Sequence, residues 1–198
     1  MFIFKKKIII IISLFFIIIV FFYAYLFKHF KTNSIININK SLSEVILKTH
    51  TGELSKNIFL NETPALLFFG FTHCPEVCPT TLSTLLNIIN KINTNNSNYK
   101  ILFVTLDPLK DTEKSLADYI ESFDDNIIGL TGKISEINKF AKNWNVYWEK
   151  VSYGKDDYTI NHTSTVFMLN KKGNFSGTIA WGEDENSIEI KIKKLFNS

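Results

Sequence analysis

Arginine is missing from this chain, because all 22 basic residues are lysine. Any site that requires a planar guanidinium is therefore excluded, including the arginine-assisted cysteine of a peroxiredoxin. The positive charge is concentrated at the amino terminus: residues 1–28 hold four lysines and no acid, which leaves 18 lysines against 19 acids in the remainder. No lysine-rich binding face is predicted, so nucleic acid is not an expected partner.

Proline is scarce, and the four prolines are Pro64, Pro75, Pro79 and Pro108. The final third of the chain therefore lacks the cis-proline that a thioredoxin-type reductase places before its penultimate hairpin. Cysteine is scarcer still: Cys74 and Cys78 are the only two, and their spacing is longer than that of a Cys-x-x-Cys pair. With so few cysteines and four scattered histidines, a structural zinc site, which needs four protein ligands, is not expected.

The amino terminus is rich in apolar residues. Residues 8–27 carry no charge, and only Ser13 interrupts them as a clearly polar residue. A helix of this length is about 30 Å long, which matches the hydrocarbon core of a bilayer. A removed signal peptide is the weaker alternative, because the run exceeds the usual apolar core of about 7–15 residues and no Ala-x-Ala site follows it. We therefore expect an uncleaved transmembrane anchor.

The flanking charges and composition predict how the rest of the chain is arranged. Three consecutive lysines within residues 1–7 favour an inside amino terminus, so the chain after the anchor faces outward. Residues 28–40 are polar and asparagine-rich, which is typical of a spacer. Residues 41–198 have the length of one folded domain. An outward-facing domain lies in an oxidising compartment, where paired cysteines are expected.

Short apolar runs alternate with helical patterns in the predicted domain. The predicted strands are Val45–Leu47, Ala65–Phe71, Lys100–Leu106, Asn126–Leu130, Val146–Ser152, Thr165–Leu169 and Phe175–Trp181. One predicted helix begins near Pro79, and the others are Thr112–Phe123, Ser135–Asn143 and Asp184–Phe196. With right-handed crossovers, this order gives an α/β domain with a mostly parallel central sheet, an antiparallel hairpin and helices on both faces. That is the layout of a thioredoxin-like domain.

The two cysteines lie between a buried strand and the next helix, in the stretch FFGFTHCPEVCPTTL. Ligand chemistry of open α/β sheets is located at such carboxyl ends of strands. In a first helical turn, a spacing of four brings Cys74 and Cys78 onto one face, where they can form a disulfide or share an ion. The helix N-terminus favours the thiolate, which both chemistries require. A purely structural disulfide is disfavoured because it closes a very short loop, but redox chemistry and metal binding remain open.

A histidine late in the chain is predicted to face this cysteine loop. The segment YTINHTS, residues 158–164, precedes the final hairpin and in this topology lies across from the loop. His162 can then join Cys74 and Cys78. Two thiolates and one imidazole suit copper, because Cu(I) prefers soft sulfur ligands and a nitrogen donor helps the site to accept Cu(II).

Other polar and aromatic residues are expected to have structural or surface roles. We expect His73 to be structural, and His50 and His29 to be solvated. Asp111 is predicted to cap the next helix, whereas Asp107 is a candidate for a role beside the site or at a docking surface. Five aromatic residues are expected to pack in the core or at its rim: Phe69, Phe71, Trp144, Tyr147 and Trp148.

Four segments follow one another in order between about residues 45 and 181: FFGFTHCPEVCPTTL, ILFVTLDPLKDT, IGLTG and YTINHTSTVFML. In this order and at these intervals, they resemble the Sco/SenC family of membrane-anchored copper chaperones. Glu76 and Asn161 depart from the family pattern, since aspartate is frequent at both positions, and the leading strand region is short. The three candidate ligands are not affected by these departures.

The resemblance implies a thioredoxin-like domain on one transmembrane helix in the bacterial inner membrane, facing the periplasm. The alternative is the mitochondrial inner membrane, with the domain in the intermembrane space. The implied copper ligands are Cys74, Cys78 and His162, with Cu(I), Cu(II) or both as the bound ion.

The resemblance also implies a chaperone that assists assembly of the dinuclear copper centre of cytochrome c oxidase subunit II. It would deliver copper, reduce the receiving cysteines, or do both. The implied partners are this subunit or another copper-receiving protein, a thiol reductant, and the membrane through the N-terminal helix. The alternative hypothesis is an enzyme: a membrane-tethered thiol–disulfide oxidoreductase acting on extracytoplasmic protein thiols, with Cys74 and Cys78 as its redox pair.

Overall fold

The computed structural model describes residues 13–25, 36–58, 60, 62–92, 98–154 and 157–197. The chain divides into two compact units, Met1–Ile35 and Ile36–Ser198. In the first unit, residues 13–25 form a helix, α1, with exposed side chains. Among the described residues, no helix has both the length and the apolar character needed to cross a membrane. The predicted anchor and spacer lie partly outside the described residues, and residues 1–7 lie entirely outside them.

Within its described residues, the second unit contains eight strands: β1 Leu47–Thr49, β2 Ala65–Gly70, β3 Lys100–Thr105, β4 Ile127–Gly132, β5 Trp148–Ser152, β6 Tyr158–His162, β7 Val166–Leu169 and β8 Phe175–Ile179. Six of them form one sheet in the order β1-β4-β3-β2-β7-β8. The inner strands β4, β3 and β2 are parallel, whereas β1, β7 and β8 pair antiparallel at the two sides. The predicted α/β fold with a parallel core is confirmed, and β1 adds an antiparallel edge that is not predicted.

The middle of the sheet is uniformly apolar. All six residues of β2 are buried, and so are five of the six residues of β3. Such continuous burial is expected of strands that are covered on both faces. In this register Phe68 pairs with Phe103, and their ring centroids lie 6.1 Å apart. The carboxyl ends of β2 and β3 are thereby held side by side, and the turn that follows β2 leads to the two cysteines.

The helices of the second unit are α2 Ile38–Ser43, α3 Val77–Ile92, α4 Glu113–Glu121, α5 Ile134–Asn143 and α6 Glu185–Phe196. The helix α3 buries leucine and isoleucine residues at spacings of three and four, and it packs beside α6. It begins two residues earlier than predicted. Cys78 and Pro79 therefore both lie in its first turn, where the missing N–H of proline costs nothing.

The strands β5 and β6 form a separate antiparallel ribbon, in which Trp148 pairs with His162 and Ser152 pairs with Tyr158. From the sequence, residues 158–164 are expected only to face the cysteine loop, and β6 is not predicted. The reason is that Ile160 is the single buried residue of β6, so the alternation that identifies a strand is too weak. β6 is important for the site because His162 is its last residue.

Candidate metal and redox site

Cys74 lies in the turn between β2 and α3, just before the helix begins. Its Sγ accepts a hydrogen bond from the backbone N–H of Cys78 at 3.4 Å. The backbone N–H groups of Glu76 and Val77 add to this stabilisation of the thiolate. These donors belong to the start of α3, where unpaired N–H groups and the helix dipole favour negative charge. The side chain of Cys74 is partly exposed, so a second molecule has access to it.

Cys78 is fully buried in the first turn of α3, and both cysteines are free thiols. The hydrogen bond from the Cys78 thiol lowers the pKa of Cys74 to about 5, although partial burial acts in the opposite direction. The same hydrogen bond, together with burial, raises the pKa of Cys78 far above its usual range. The pair therefore releases one proton readily and holds the second one firmly.

His162 is held between aromatic rings in a single tautomer. Its ring packs against Phe68 and Phe71 with centroid distances of 6.3 and 6.1 Å. Burial lowers the pKa of His162, so the ring is neutral at pH 7. Its Nδ1 lies 3.0 Å from the backbone carbonyl oxygen of Thr163, which can only accept a hydrogen bond. Nδ1 therefore carries the proton, and the lone pair of Nε2 is available to a metal ion or to a proton.

The imidazole approaches the buried thiol. Nε2 of His162 lies 3.9 Å from Sγ of Cys78. Zinc, for comparison, binds thiolate at about 2.3 Å and imidazole at about 2.0 Å, and with such bonds two ligand atoms of one ion lie about 3.5 Å apart at a tetrahedral angle and about 4.3 Å apart in a linear arrangement. The observed distance therefore suits one ion shared by Cys78 and His162.

The site does not form a closed set of three ligands. Within the described parts of the chain, no three His, Cys, Asp or Glu side chains are grouped closely enough to hold an ion. In the structure, the imidazole of His162 lies close to Cys78, and Cys78 lies close to Cys74. The three side chains do not surround one position at which a single ion could contact all of them. Beside them lies a groove of about 390 Å³, lined by residues from the turn before α3, Cys74 among them, and by residues from β6, including His162. This groove gives a partner side chain access to the site.

The prediction that Asp111 caps α4 is wrong. The N-cap is the next residue, Thr112, whose hydroxyl accepts a hydrogen bond from the backbone N–H of Ser115. Either residue type can cap a helix, and the spacing pattern of a helix does not separate adjacent cap positions. The one-residue difference leaves the carboxylate of Asp111 inside the protein, where it is fully buried.

Asp111 instead holds the turn that carries the cysteines. Its carboxylate accepts a hydrogen bond from the backbone N–H of Thr72 at 2.9 Å and from the hydroxyl of Thr72 at 2.6 Å. The hydroxyl of Thr105, at the end of β3, also donates to it at 2.6 Å. Because Thr72 precedes Cys74 by two residues, the carboxylate fixes the backbone on which the thiol is carried.

Asp107 is also buried, and it contacts the histidine strand rather than the thiols. The hydroxyl of Tyr158 donates to its Oδ2 at 2.6 Å, and Nζ of Lys150 lies 3.5 Å from its Oδ1. Tyr158 begins β6, the strand that ends at His162. A role for this tyrosine is not predicted from the sequence. Its position in the same strand as His162 could have indicated such a role. That strand is not predicted, so the connection is missed.

None of the remaining histidines that the structure describes has a ring contact with the thiol pair. His50 is partly buried rather than solvated as predicted, because its Nδ1 accepts a hydrogen bond from the backbone N–H of Gly129 in β4 at 3.1 Å. This contact depends on the pairing of β1 with β4, which is not predicted. His73 is largely exposed, with its Nδ1 3.0 Å from the Thr72 hydroxyl. His29 lies outside the described residues.

The five aromatic residues divide between core and surface. Phe69, Phe71 and Trp144 are buried, as expected for core packing. Trp148 is partly buried at the rim, and Tyr147 is exposed. Of these residues, Phe71 also contributes to the site through its contact with the imidazole.

Residues 42–197 match the model of a protein family described as SCO1/SenC. The chain belongs to the SCO1/SenC family. The matched residues include all eight strands and the three candidate ligands. The resemblance noted in the sequence is therefore confirmed.

Curated proteins similar to this chain include mitochondrial and bacterial family members. "Protein SCO1 homolog, mitochondrial" of Homo sapiens is 33% identical over 149 residues, which are 74% of this chain and 50% of that protein. "SCO2-like protein RP587" of Rickettsia prowazekii is 33% identical over 126 residues, 63% of this chain and 62% of that protein. The chain thus spans between a half and two thirds of the length of these relatives.

Solved structures of the family share the fold. The copper-bound structure of ScoI from Arabidopsis thaliana superimposes with a TM-score of 0.71 at 29% identity, covering 77% of this chain and 96% of that one. This similarity confirms the mixed α/β, thioredoxin-like architecture of the second unit.

Proposed function

We propose that this chain is a copper-binding chaperone that assists assembly of the dinuclear copper centre of cytochrome c oxidase subunit II. Cys74, Cys78 and His162 hold the ion. The proposal rests above all on the approach of Nε2 of His162 to within 3.9 Å of Sγ of Cys78. Copper in the solved structure of a family member, ScoI of Arabidopsis thaliana, supports it.

The three donors fit copper as a cargo. Two sulfur atoms suit Cu(I), and one neutral imidazole nitrogen helps the site to accept Cu(II). Cys74 is largely a thiolate at neutral pH because its pKa is lowered to about 5, whereas Cys78 must lose its proton to the solvent when the ion binds. Loading therefore requires reduced thiols and releases protons. It also requires Cys74 and His162 to come closer together than the structure shows.

Release of the ion follows from the unequal exposure of the two sulfur atoms. Cys74 is partly exposed at the groove, and Cys78 is buried. A thiolate of the receiving protein can replace Cys74 first, and Cys78 and His162 afterwards. When the receiving cysteines are oxidised, the reduced pair can reduce them instead, and an external thiol reductant then restores the pair.

The N-terminal residues extend the proposal to a membrane. Residues 8–27 form the anchor, residues 1–7 stay inside, residues 28–40 act as a spacer, and residues 41–198 form the domain. The domain faces the periplasm or, alternatively, the mitochondrial intermembrane space. An anchor restricts the search for a membrane-bound client to two dimensions and raises the effective concentration. After mild reduction, a membrane-impermeant maleimide should label Cys74 in bacterial spheroplasts, or in mitochondria with a ruptured outer membrane, if this orientation is correct. Labelling of the reduced protein only after lysis of the inner membrane contradicts it.

Titration of the full-length, reduced protein with Cu(I) against a chromophoric chelator tests the copper site. We expect one ion per chain, and a marked loss of affinity for Cys74→Ala, Cys78→Ala and His162→Ala. His73→Ala is the matched control, because His73 lies beside the loop but is largely exposed. Equal affinity of the wild-type protein and His162→Ala would contradict the proposed ligand set.

A thiol–disulfide oxidoreductase is the second candidate, and the unequal acidity of the two thiols favours it. The partly exposed Cys74, with its pKa lowered to about 5, suits the attacking thiolate, and the buried Cys78 suits the resolving thiol. Cys74 would attack a substrate disulfide and release one substrate thiolate. Cys78 would then displace the second one, leaving the substrate reduced and this pair oxidised.

Activity without copper separates the two candidates. If the oxidoreductase hypothesis is correct, the copper-free protein reduces a model disulfide with turnover in the presence of a thiol reductant, and His162→Ala retains most of that activity. Retention of copper that depends on His162, without turnover, supports the chaperone.

A further inference from the structure

The loop between β3 and α4 contacts both halves of the candidate site through two buried carboxylates. At its end, Asp111 holds Thr72 in the turn before Cys74. At its start, Asp107 holds Tyr158 at the beginning of β6. The backbone N–H of Asp111 donates to the carbonyl of Asp107 at 2.8 Å, so a single helical turn joins the two carboxylates.

We infer that Asp107 and Tyr158 position His162 against the Cys78 thiol. The inference deepens the proposed copper site and rests on it, but it assigns no ligand role to either residue. Tyr158 and His162 are the first and last residues of β6. Four intervals of an extended strand span about 13 Å, so the anchor acts on the imidazole through the strand and not by contact.

The contacts of Tyr158 fix it more firmly than its position near the surface suggests. The ammonium groups of Lys110 and Lys150 lie 4.0 and 4.1 Å from its ring centroid. Lys110 belongs to the loop after β3, and Lys150 belongs to β5, so the ring is held by both elements. Burial, with the hydrogen bond to Asp107, raises the pKa of Tyr158, and its hydroxyl therefore remains a donor at neutral pH.

The ribbon of β5 and β6 has few other attachments that could replace this one. Four of the five residues of β5 are exposed, and Ile160 is the only buried residue of β6. Among the described residues, the ribbon is therefore held to the domain mainly at Trp148, at Ile160, at the rings around His162 and at Tyr158. Oδ1 of Asp107 is buried without a hydrogen bond within the described residues, and Lys150 supplies the neighbouring charge. Burial of a carboxylate costs free energy unless the carboxylate is paired. The contacts with Tyr158 and Lys150 offset this cost for Asp107.

Tyr158→Phe removes one hydroxyl and tests the inference in the full-length protein. We expect the affinity for Cu(I) to fall about fivefold, as for the loss of one hydrogen bond. In the His162→Ala background, Tyr158→Phe should cause no further loss, because its effect passes through the imidazole. Tyr153→Phe is the matched control: Tyr153 is an exposed tyrosine next to the same ribbon, and its variant should keep the wild-type affinity.

A second readout needs no copper. Diethylpyrocarbonate modifies accessible imidazoles, and peptide mass analysis separates His162 from the other histidines. We expect Tyr158→Phe to increase the modification rate of His162 about fivefold, while the rate at which iodoacetamide modifies Cys74 stays unchanged. Asp107→Ala removes the acceptor of the same hydrogen bond and also the partner of Lys150, so its effect should be at least as large as that of Tyr158→Phe. If either variant unfolds, as circular dichroism would show, the other one provides the test.

The outcomes distinguish this inference from the proposed function. An unchanged rate of His162 modification in Tyr158→Phe and Asp107→Ala overturns the positioning role, even if the copper affinity of these variants falls. Equal losses of copper affinity with and without His162 also overturn it, because they indicate a general structural effect. If the wild-type protein and His162→Ala bind copper equally, the proposed copper site fails, and the modification rates still decide the positioning role.

Discussion

Gly70 leaves the space that the buried thiol of Cys78 occupies. A Cβ atom on Gly70 would lie 2.8 Å from Sγ of Cys78 and 2.9 Å from the ring of Phe103. Distances this short do not occur between such atoms without a shift of one of them. The last residue of β2 therefore has to be glycine if the thiol is to lie beneath the end of the sheet and face His162.

Gly70→Ala should destabilise the protein and displace the thiol. Overpacking of a filled core costs about 1–3 kcal/mol, so the free energy of unfolding in urea should fall by this amount. The Cu(I) affinity should fall too, since Cys78 moves relative to His162. Gly132→Ala is the control, because its Cβ would crowd Leu47 at 3.0 Å, in another strand pair. It should reduce stability but keep the copper affinity. Unchanged affinity in Gly70→Ala would show that the site tolerates the shift.

Cys74 should react as a thiolate well below neutral pH. Its pKa of about 5 lies below the ordinary value, so iodoacetamide should modify it at a constant rate from pH 8 down to about pH 6 and more slowly through pH 5. Because the pKa is lowered from the ordinary value of 9.0 in the folded state, the stabilisation by the thiolate is complete above pH 9, decreases as the pH falls, and is lost below about pH 5. Mass spectrometry of the alkylated peptides gives the profile for each cysteine, and Cys78 should remain unmodified.

Cys78→Ala provides the control for this profile. The Cys78 thiol is the strongest of the donors that lower the pKa of Cys74, so its removal should move the midpoint of the Cys74 reaction to higher pH. The backbone donors at the start of α3 remain, and the midpoint should therefore stay below that of an ordinary cysteine. An unchanged midpoint would mean that the helix terminus alone accounts for the acidity.

The parts of the structure that follow from local sequence patterns could be predicted. The strands β2 and β3 are continuous apolar runs, and α3 has a regular apolar spacing. The core of the sheet and the position of the cysteine turn could therefore be predicted from the sequence. His162 could be placed opposite this turn from the order of the elements. The closeness of His162 to Cys78 therefore follows from the predicted order of the strands and helices.

The polar contacts that hold the site could not be predicted in the same way. The hydrogen bond between Tyr158 and Asp107 joins residues 51 positions apart, and that between Thr72 and Asp111 joins residues 39 positions apart. No periodic pattern encodes such pairs. A buried aspartate after a strand also has the same local sequence as an exposed helix cap, which explains the wrong prediction for Asp111.

Asp111→Ala should be among the most destabilising substitutions near the site. It removes the acceptor of three hydrogen bonds and leaves the donors of Thr72 and Thr105 unpaired. Hydrogen bonds to a charged group contribute about 1.5–3 kcal/mol each, so we expect a loss of about 3 kcal/mol or more in the free energy of unfolding. Urea denaturation measures it. Asp118→Ala, at an exposed pair with Lys114, should change stability by less than about 0.5 kcal/mol. Similar losses for both variants would contradict a specific role for the buried carboxylate.

His50→Ala should lower stability without changing copper binding, whereas His162→Ala should weaken copper binding. His50 accepts a hydrogen bond from the buried backbone N–H of Gly129, and an unpaired buried donor costs about 1–3 kcal/mol. His50→Ala should therefore lower the free energy of unfolding and leave Cu(I) affinity unchanged. His162→Ala should weaken copper binding strongly, because it removes the nitrogen donor that lies beside the Cys78 thiol. If both variants weakened copper binding equally, the imidazole of His162 would have no special place at the thiol pair, and the ligand assignment would fail.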